Sequence, residues 1–300
     1  MNRRDFLKLS SVSLAGAFLM GLFGRRKAWS AGPVPDLVEV TGGTPRERVA
    51  AAFKALGGIK KFVPTGSTVV VKPNIAWARN PEQGADTGPQ IVAEVVTACR
   101  QAGAKRVVVM DHTCDKAQLT YPQSGIEAAA RAAGAEVLHA DQKDAYREVA
   151  IPKGKALTSA LVLKEVLDCD VLINLPVVKV HGSSRVTLGM KNWMGVVWDR
   201  GALHRSDLHQ AIVDISTVVK PRLVLLDATR ILTSRGPKGP GDLTVLNQLV
   251  AGTDPVAADA YGARILGFNP QEIGHIRLAG EAGLGKSNLD ALKVQKIKLG

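Results

Sequence analysis

The sequence is poor in aromatic residues, which make up 4% of its 300 positions, and it contains only three cysteines. Nowhere do Lys and Arg gather in a dense stretch interleaved with aromatics. The stacking platform and phosphate-tracking groove of a nucleic-acid surface are therefore missing, and no nucleic-acid partner is expected. Cys99, Cys114 and Cys169 cannot all pair within one chain, and none stands in a Cys-x-x-Cys arrangement. This excludes a structural zinc ribbon and a self-contained iron–sulfur cluster motif, both of which need several closely spaced ligands. Cys99, in a helical pattern, and Cys169, just before a strand, read as small buried residues. Cys114, in Asp-His-Thr-Cys, is a candidate thiolate ligand or nucleophile without an identifiable activating group. A dinucleotide fingerprint and a P-loop are also lacking, because Gly42-Gly43-Thr44 and Gly57-Gly58 have neither the spacing nor the strand context and read as turns.

What is present begins at the N-terminus. Asn2-Arg3-Arg4-Asp5-Phe6-Leu7-Lys8 resembles the twin-arginine export signal, Ser/Thr-Arg-Arg-x-Phe-Leu-Lys, with Asn2 as its one departure. Leu9 to Phe23 is an almost uncharged run broken by Gly16 and Gly21. It falls short of the roughly twenty residues that a helix needs to cross a bilayer, so it reads as the apolar part of a signal, with an uncleaved membrane anchor as the secondary alternative. Ala28 and Ser30 permit cleavage after Ser30. The resulting expectations are a signal over 1–30, a single α/β domain over 31–300, a periplasmic or other extracytoplasmic destination, and the twin-arginine translocation machinery as a partner. Contact with the membrane would then be transient, during export. Removing 1–30 takes away six basic residues and one acid, leaving 33 Lys and Arg against 26 Asp and Glu, a net of +7. Such a modest positive field suits an anionic small molecule or an acidic protein partner.

Beyond the signal, strand-like and helix-like segments alternate. Thr68 to Lys72, Arg106 to Met110, Val171 to Leu175 and Leu223 to Leu226 are continuous apolar runs, as expected of strands covered on both faces. Helical patterns cover Pro89 to Ala102, Ser124 to Ala133, Ser159 to Leu167 and Asp207 to Val218. Ala102-Gly103-Ala104 and Ala133-Gly134-Ala135 place a glycine where a helix stops before the next strand. Asp254-Pro255 opens a helix through Leu266 with a capping carboxylate and a first-turn proline. Another helix runs from about Pro270 to Gly283, and Lys293 to Leu299 alternates like a final edge strand. The fold class is α/β: a mostly parallel sheet with crossover helices in a Rossmann-like three-layer architecture.

In such sheets ligands bind beyond the C-terminal strand ends. Those ends lead into Pro73-Asn74, Asp111-His112-Thr113-Cys114, Pro176 through His181, and Asp227-Ala228-Thr229. The densest constellation is Asn174 to Gly195, with Lys179, His181, Ser183, Ser184, Arg185, Thr187, Lys191 and Asn192 on one connection. Arg supplies a planar fork and Lys a mobile point charge, so three cations there can hold a carboxylate or phosphate. Lys179 and His181 are two apart and share one side of an extended stretch, so one could bind an anion while the other moves a proton. His204, on the loop before His209, could turn toward His181. The candidate catalytic residues are therefore His181, Lys179, His204 and Asp111, and the candidate ligand-binding residues Asn74, Arg185, Lys191, Asn192 and Asp227. His181, His204 and Asp111 or Asp227 also have the right ligand types for a transition metal. His139 and His275 read as structural or surface residues and Asp254 as a cap. Asp259 either approaches the site or pairs with Arg264.

The Asn174 to Gly195 stretch, Val70-Val71-Lys72-Pro73-Asn74, the Gly236 to Gly241 loop and Ala251 to Ala260 together resemble the domain of unknown function 362 family over nearly all of the mature chain. Members have Lys-x-Lys-x-His leading to Lys-Asn-x-x-Gly. Here Lys179, His181, Lys191, Asn192 and Gly195 match, while Val177 replaces the first lysine. Some relatives carry an additional ferredoxin-like module, absent here. The resemblance implies a site in this region without implying a reaction. The expectation is an exported protein binding an anionic small molecule or cofactor, with acid–base chemistry if it is an enzyme. The alternative is a non-enzymatic partner of a periplasmic redox protein, in iron–sulfur electron transfer or metallocentre assembly. A third reading, a nickel- or iron-dependent isomerase acting on a hydroxy acid, draws on a likeness of the His/Lys-rich connection to lactate racemase-type enzymes.

Overall fold

Valine supplies the middle of the sheet. Val69, Val70 and Val71, like Val107, Val108 and Val109, are buried on both sides of their strands, because β-branched side chains pack well on a pleated surface that is covered twice. The computed structural model describes residues 34–300, so the export signal read over 1–30 lies outside the described residues. The strands are β1 (Leu37–Thr41), β2 (Thr68–Pro73), β3 (Arg106–Asp111), β4 (Glu136–His139), β5 (Tyr146–Ala150), β6 (Ser159–Leu163), β7 (Val171–Leu175), β8 (Val177–His181), β9 (Arg185–Thr187), β10 (Leu223–Leu232), β11 (Leu243–Gly252) and β12 (Val294–Lys298). Their main sheet runs β12-β1-β11-β10-β7-β2-β3-β4, with β8 and β9 branching from β10.

From β10 to β4 neighbours are parallel, whereas β11 is antiparallel to both β10 and β1. The sheet is thus mostly parallel with helices on both faces, an α/β architecture. Val69 and Val71 face the layer built from helices Pro45–Ala55 and Pro89–Ala102. Val70 faces the opposite side, with Trp193 and Ile215. Helix Pro255–Ile265 covers that side farther along, against Val224 and Leu226. Asp254 caps its helix as expected, and Asp207 caps Leu208–Val218 in the same way, each accepting two backbone N–H bonds of its helix. The terminal strand is β12, at the sheet edge beside β1.

Three expectations change. Ser159 to Leu167 is not one helix: Ser159–Leu163 pairs antiparallel with β5, and only Lys164–Asp168 is helical. Its run of small and aliphatic residues satisfies either period, and pairing with Tyr146–Ala150 decides for a strand. The expected helix at Ser124 begins at Ile126, Ser124 instead ending a separate helix, Ala117–Gln123. Finally, β10 does not stop at Leu226 but continues to Leu232 past an irregularity at Thr229, held by β11 throughout.

One junction positions the site. Pro176 separates β7 from β8; before it β7 lies between β10 and β2, and after it β8 pairs with β10 and, in a hairpin, with β9, and no longer with β2. The chain thereby parts from β2 just beyond Pro73. A cleft opens past the C-terminal ends of β2 and β3, the place where open parallel sheets take ligands.

Candidate active site

The cleft holds a cavity of about 380 Å³ whose lining includes Lys72, Asn74, Asp111, Lys179, His181, Lys191, Asn192, Arg200 and His204. Its floor is a buried polar network. Lys72 Nζ lies 2.8 Å from Asp111 Oδ1 and donates to Asn192 Oδ1 at 2.7 Å. Asn192 Oδ1 also accepts from Asn74 Nδ2 at 3.1 Å, and Asn192 Nδ2 donates to Asn174 Oδ1 at 2.8 Å. Lys179 Nζ donates to Asn74 Oδ1 at 2.9 Å and to the Ala85 carbonyl. Asp111 Oδ2 accepts from the Ile75 N–H at 2.6 Å, tying the end of β3 to the chain leaving β2. Burial lowers the pKa of both Lys72 and Lys179, opposed in one by Asp111 and in the other by Asp86. Asp86, itself raised by burial, accepts from the Ala76 and Trp77 N–H groups. Gly195 is required beside this floor: a Cβ there would overlap Asp111 Oδ1 and meet Lys72 Nζ at 2.5 Å.

The helical turn Gly189–Asn192 delivers Lys191 and Asn192. Its N-terminus lacks a cap of its own, and Asp259 supplies one from the neighbouring helix, accepting from Gly189 N at 2.6 Å and Met190 N at 2.9 Å. Asp259 thus neither enters the cavity nor pairs with Arg264, whose guanidinium lies over Tyr261. Lys191 is 7% exposed, and the one hydrogen-bond partner of its ammonium among the described residues is the Met194 sulfur, at 2.8 Å. Burial first, then Lys179, Arg200 and Lys72, push its pKa down to about 8.

His181 ends β8, and its Nδ1 accepts from the Ser183 N–H at 3.0 Å. The neutral ring therefore carries its proton on Nε2. Burial, then Lys191, Lys179 and His204, depress it to about 3. His204, on the short helix Arg200–Arg205, is lowered by burial, Lys191 and Arg200. Arg200 donates at 2.6 Å to each of the His112 and Thr113 carbonyls and reaches the Cys114 sulfur at 3.4 Å.

Seven of the nine residues expected at the site thus line one cavity: His181, Lys179, His204, Asp111, Asn74, Lys191 and Asn192. Two do not. Arg185, across the β8–β9 hairpin from His181, turns outward to Glu272 at 3.2 Å and lies over Phe268. Asp227 is inside the extended β10, where it accepts from Gly88 N at 2.7 Å and Thr229 N at 2.9 Å. That carboxylate serves the N-terminus of helix Pro89–Ala102, whose own cap position is a glycine. Asp227 is thus not in the lining with His181 and His204, and Asp111, the other carboxylate considered with them, is engaged by Lys72 and the Ile75 N–H. Among the described residues, no three His, Cys, Asp or Glu converge to hold a metal ion. His139 packs on Tyr121 and His275 stacks on His209, both outside the cavity.

Sequence reasoning missed Lys72 and Arg200. A lone lysine inside an all-valine strand was the available signal for Lys72, since a buried charge needs a partner. Arg200 gave none, because it is placed by carbonyls of residues 112 and 113.

The thylakoid-associated protein sll1697 of Synechocystis is 26% identical to this chain, the match covering 74% of the chain and 70% of that protein. The lactate racemase apoprotein of Thermoanaerobacterium thermosaccharolyticum shares the fold with a TM-score of 0.50 at 12% identity, over 79% of this chain. The chain spans only 57% of that structure. No helix among the described residues is long and apolar enough to cross a membrane. The family described as "Domain of unknown function (DUF362)" matches residues 69–264, and the chain belongs to it.

Proposed function

We propose that this protein binds a small organic anion in the cavity beyond β2, β3 and β8 and carries out acid–base chemistry on it. The observation that carries this reading is Lys191: a nearly buried ammonium, facing a cavity, with no carboxylate within ion-pairing distance among the described residues. A charge so placed is costly unless a ligand completes it. The lactate racemase is named for a small carboxylate, which agrees with an anion on the same fold.

The residues divide by task. Lys191 and Arg200 neutralise the anion. Lys72, Asp111, Asn74, Asn192 and Lys179 brace one another and fix the floor. His181, held as the Nε2–H tautomer by the Ser183 N–H, donates a hydrogen bond to ligand oxygen, as neutral imidazoles do when their pKa is driven down. His204, lowered toward the neutral form, is the group available to accept a proton. No step is routed through a metal, since no set of protein ligands for one converges among the described residues. Export by the twin-arginine pathway belongs to the same reading and rests on residues 2–8.

The test is calorimetric titration of the purified protein with a panel of organic anions, followed by turnover assays on those that bind. Lys191→Ala is expected to weaken binding about 10- to 100-fold, the worth of one charge-assisted contact. His204→Asn is expected to leave affinity within a few-fold and to cut turnover by about 10²-fold or more. Slight, equal effects from both would sink the assignment.

A further inference from the structure

The charges around the cavity do not balance, and the imbalance has a size. Four cationic side chains line it, Lys72, Lys179, Lys191 and Arg200, against one carboxylate, Asp111. Lys72 is matched to Asp111 by direct contact. Lys179 donates to Asn74 Oδ1 and the Ala85 carbonyl, and Asp86 is the strongest opposing charge acting on it. The remaining two have no anionic partner within ion-pairing distance among the described residues. Lys191 meets a thioether, and Arg200 meets two backbone carbonyls and, at 3.4 Å, the Cys114 sulfur, whose thiol burial pushes up and so keeps neutral. Carbonyl oxygens orient a guanidinium but do not neutralise it. His181 and His204 cannot compensate, since an imidazole is neutral or positive. The Thr187 hydroxyl, also in the lining, is buried without a hydrogen-bond partner and adds an uncharged donor or acceptor for a ligand.

From this we infer that the ligand is a small organic dianion, one charge answering Lys191 and the other Arg200. This rests on the proposed anion-binding reading and makes it specific. A dicarboxylate and a phosphate monoester supply the same total charge. Either fits a cavity of about 380 Å³, within the usual range for small-molecule sites. A monocarboxylate would leave one cation buried and unanswered.

The experiment is titration calorimetry of the whole mature protein at pH 7 and constant ionic strength. The probes are acetate and lactate as monoanions, succinate and malate as dicarboxylates, and glycerol 3-phosphate as a phosphate monoester. At least one dianion is expected to bind about tenfold or more tightly than lactate, since a second partly buried ion pair is worth at least that much. Its affinity is also expected to fall more steeply with added salt. Comparing malate with glycerol 3-phosphate tells carboxylate from phosphate. Lys191→Ala is expected to bring the preferred dianion down toward lactate. Arg185→Ala, which alters an exposed cation outside the cavity, is expected to change nothing. Equal affinities for lactate and malate, and no preference for glycerol 3-phosphate, would overturn the inference while leaving an anion site in place. A dianion preference that survives Lys191→Ala would overturn it as well, because the second charge would then be read elsewhere. Absence of binding by every probe, with folded wild-type protein, would remove both this inference and the reading beneath it.

Discussion

Together with Lys179, which burial also brings down to about 8, Lys191 carries the pH dependence of the cavity. Burial and its cationic neighbours bring it down to about 8, from an ordinary lysine value near ~10.4. An anion binds the protonated form, so binding raises this pKa, and by linkage affinity must decline as pH climbs through the value of the free protein. We expect an anion that binds at pH 6.5 to hold its affinity to about pH 7 and to weaken by up to about tenfold per unit above 8. In Lys191→Ala that alkaline limb should become shallower, leaving the share of Lys179, which isothermal titration across pH 6.5–9.5 will check. His181, depressed to about 3, contributes no transition of its own in this range. Lys191 was legible in the sequence because it belongs to a stretch where cations crowd. Lys72 left a fainter trace, one lysine after Val69, Val70 and Val71, whose run announces a buried strand before it announces a site.

At the scale of elements, the four-residue turn Gly189–Asn192 depends on a carboxylate 70 positions away in sequence. Burial raises Asp259 to about 7, against the two backbone N–H bonds that favour its charged form. A carboxyl whose folded value lies above its unfolded one binds more protons when folded. Its contribution to stability is therefore complete below pH ~4 and is lost as pH rises through 7. Asp259→Asn, unable to titrate and with one acceptor oxygen in place of two, should destabilise by about 1–3 kcal/mol in acid. The gap from wild type should narrow between pH 4 and 8, and denaturant melts at several pH values measure it. The helix start at Pro255 could be read from Asp254-Pro255, since capping is a local matter. The partnership between Asp259 and Gly189 could not, because only the packed structure brings those two segments together. The same limit explains β6. Its residues fit helix and strand alike, and the deciding contact comes from Tyr146–Ala150.

For the whole molecule, the parallel core was legible because two-sided burial demands uninterrupted apolar runs, and β2, β3 and β7 show them. The antiparallel β10–β11 pair was harder: β10 continues past the polar Asp227-Ala228-Thr229, which read as an end. The export signal proposed for residues 2–8 would be a whole-chain property too, and its expected consequence is plain. Replacing Arg3 and Arg4 together by lysine should leave the protein in the cytoplasm of a host with a working twin-arginine pathway, as fractionation and immunoblotting would record; undiminished export would refute the signal. One feature of the floor reaches furthest. Asn74, Asn174 and Asn192 answer one another and the two lysines in a closed circuit, with the Asn192 oxygen facing Lys72 and Asn74 and its nitrogen facing Asn174. Carboxamides already engaged in this way have little left to distinguish a hydroxyl from a ketone or one enantiomer from another. Beyond what the Thr187 hydroxyl and the imidazoles read, the chamber above them sorts its guests by valence and bulk, so a buffer dianion such as sulfate should act as a competitor, and a single chamber of this kind would serve several metabolites of equal charge.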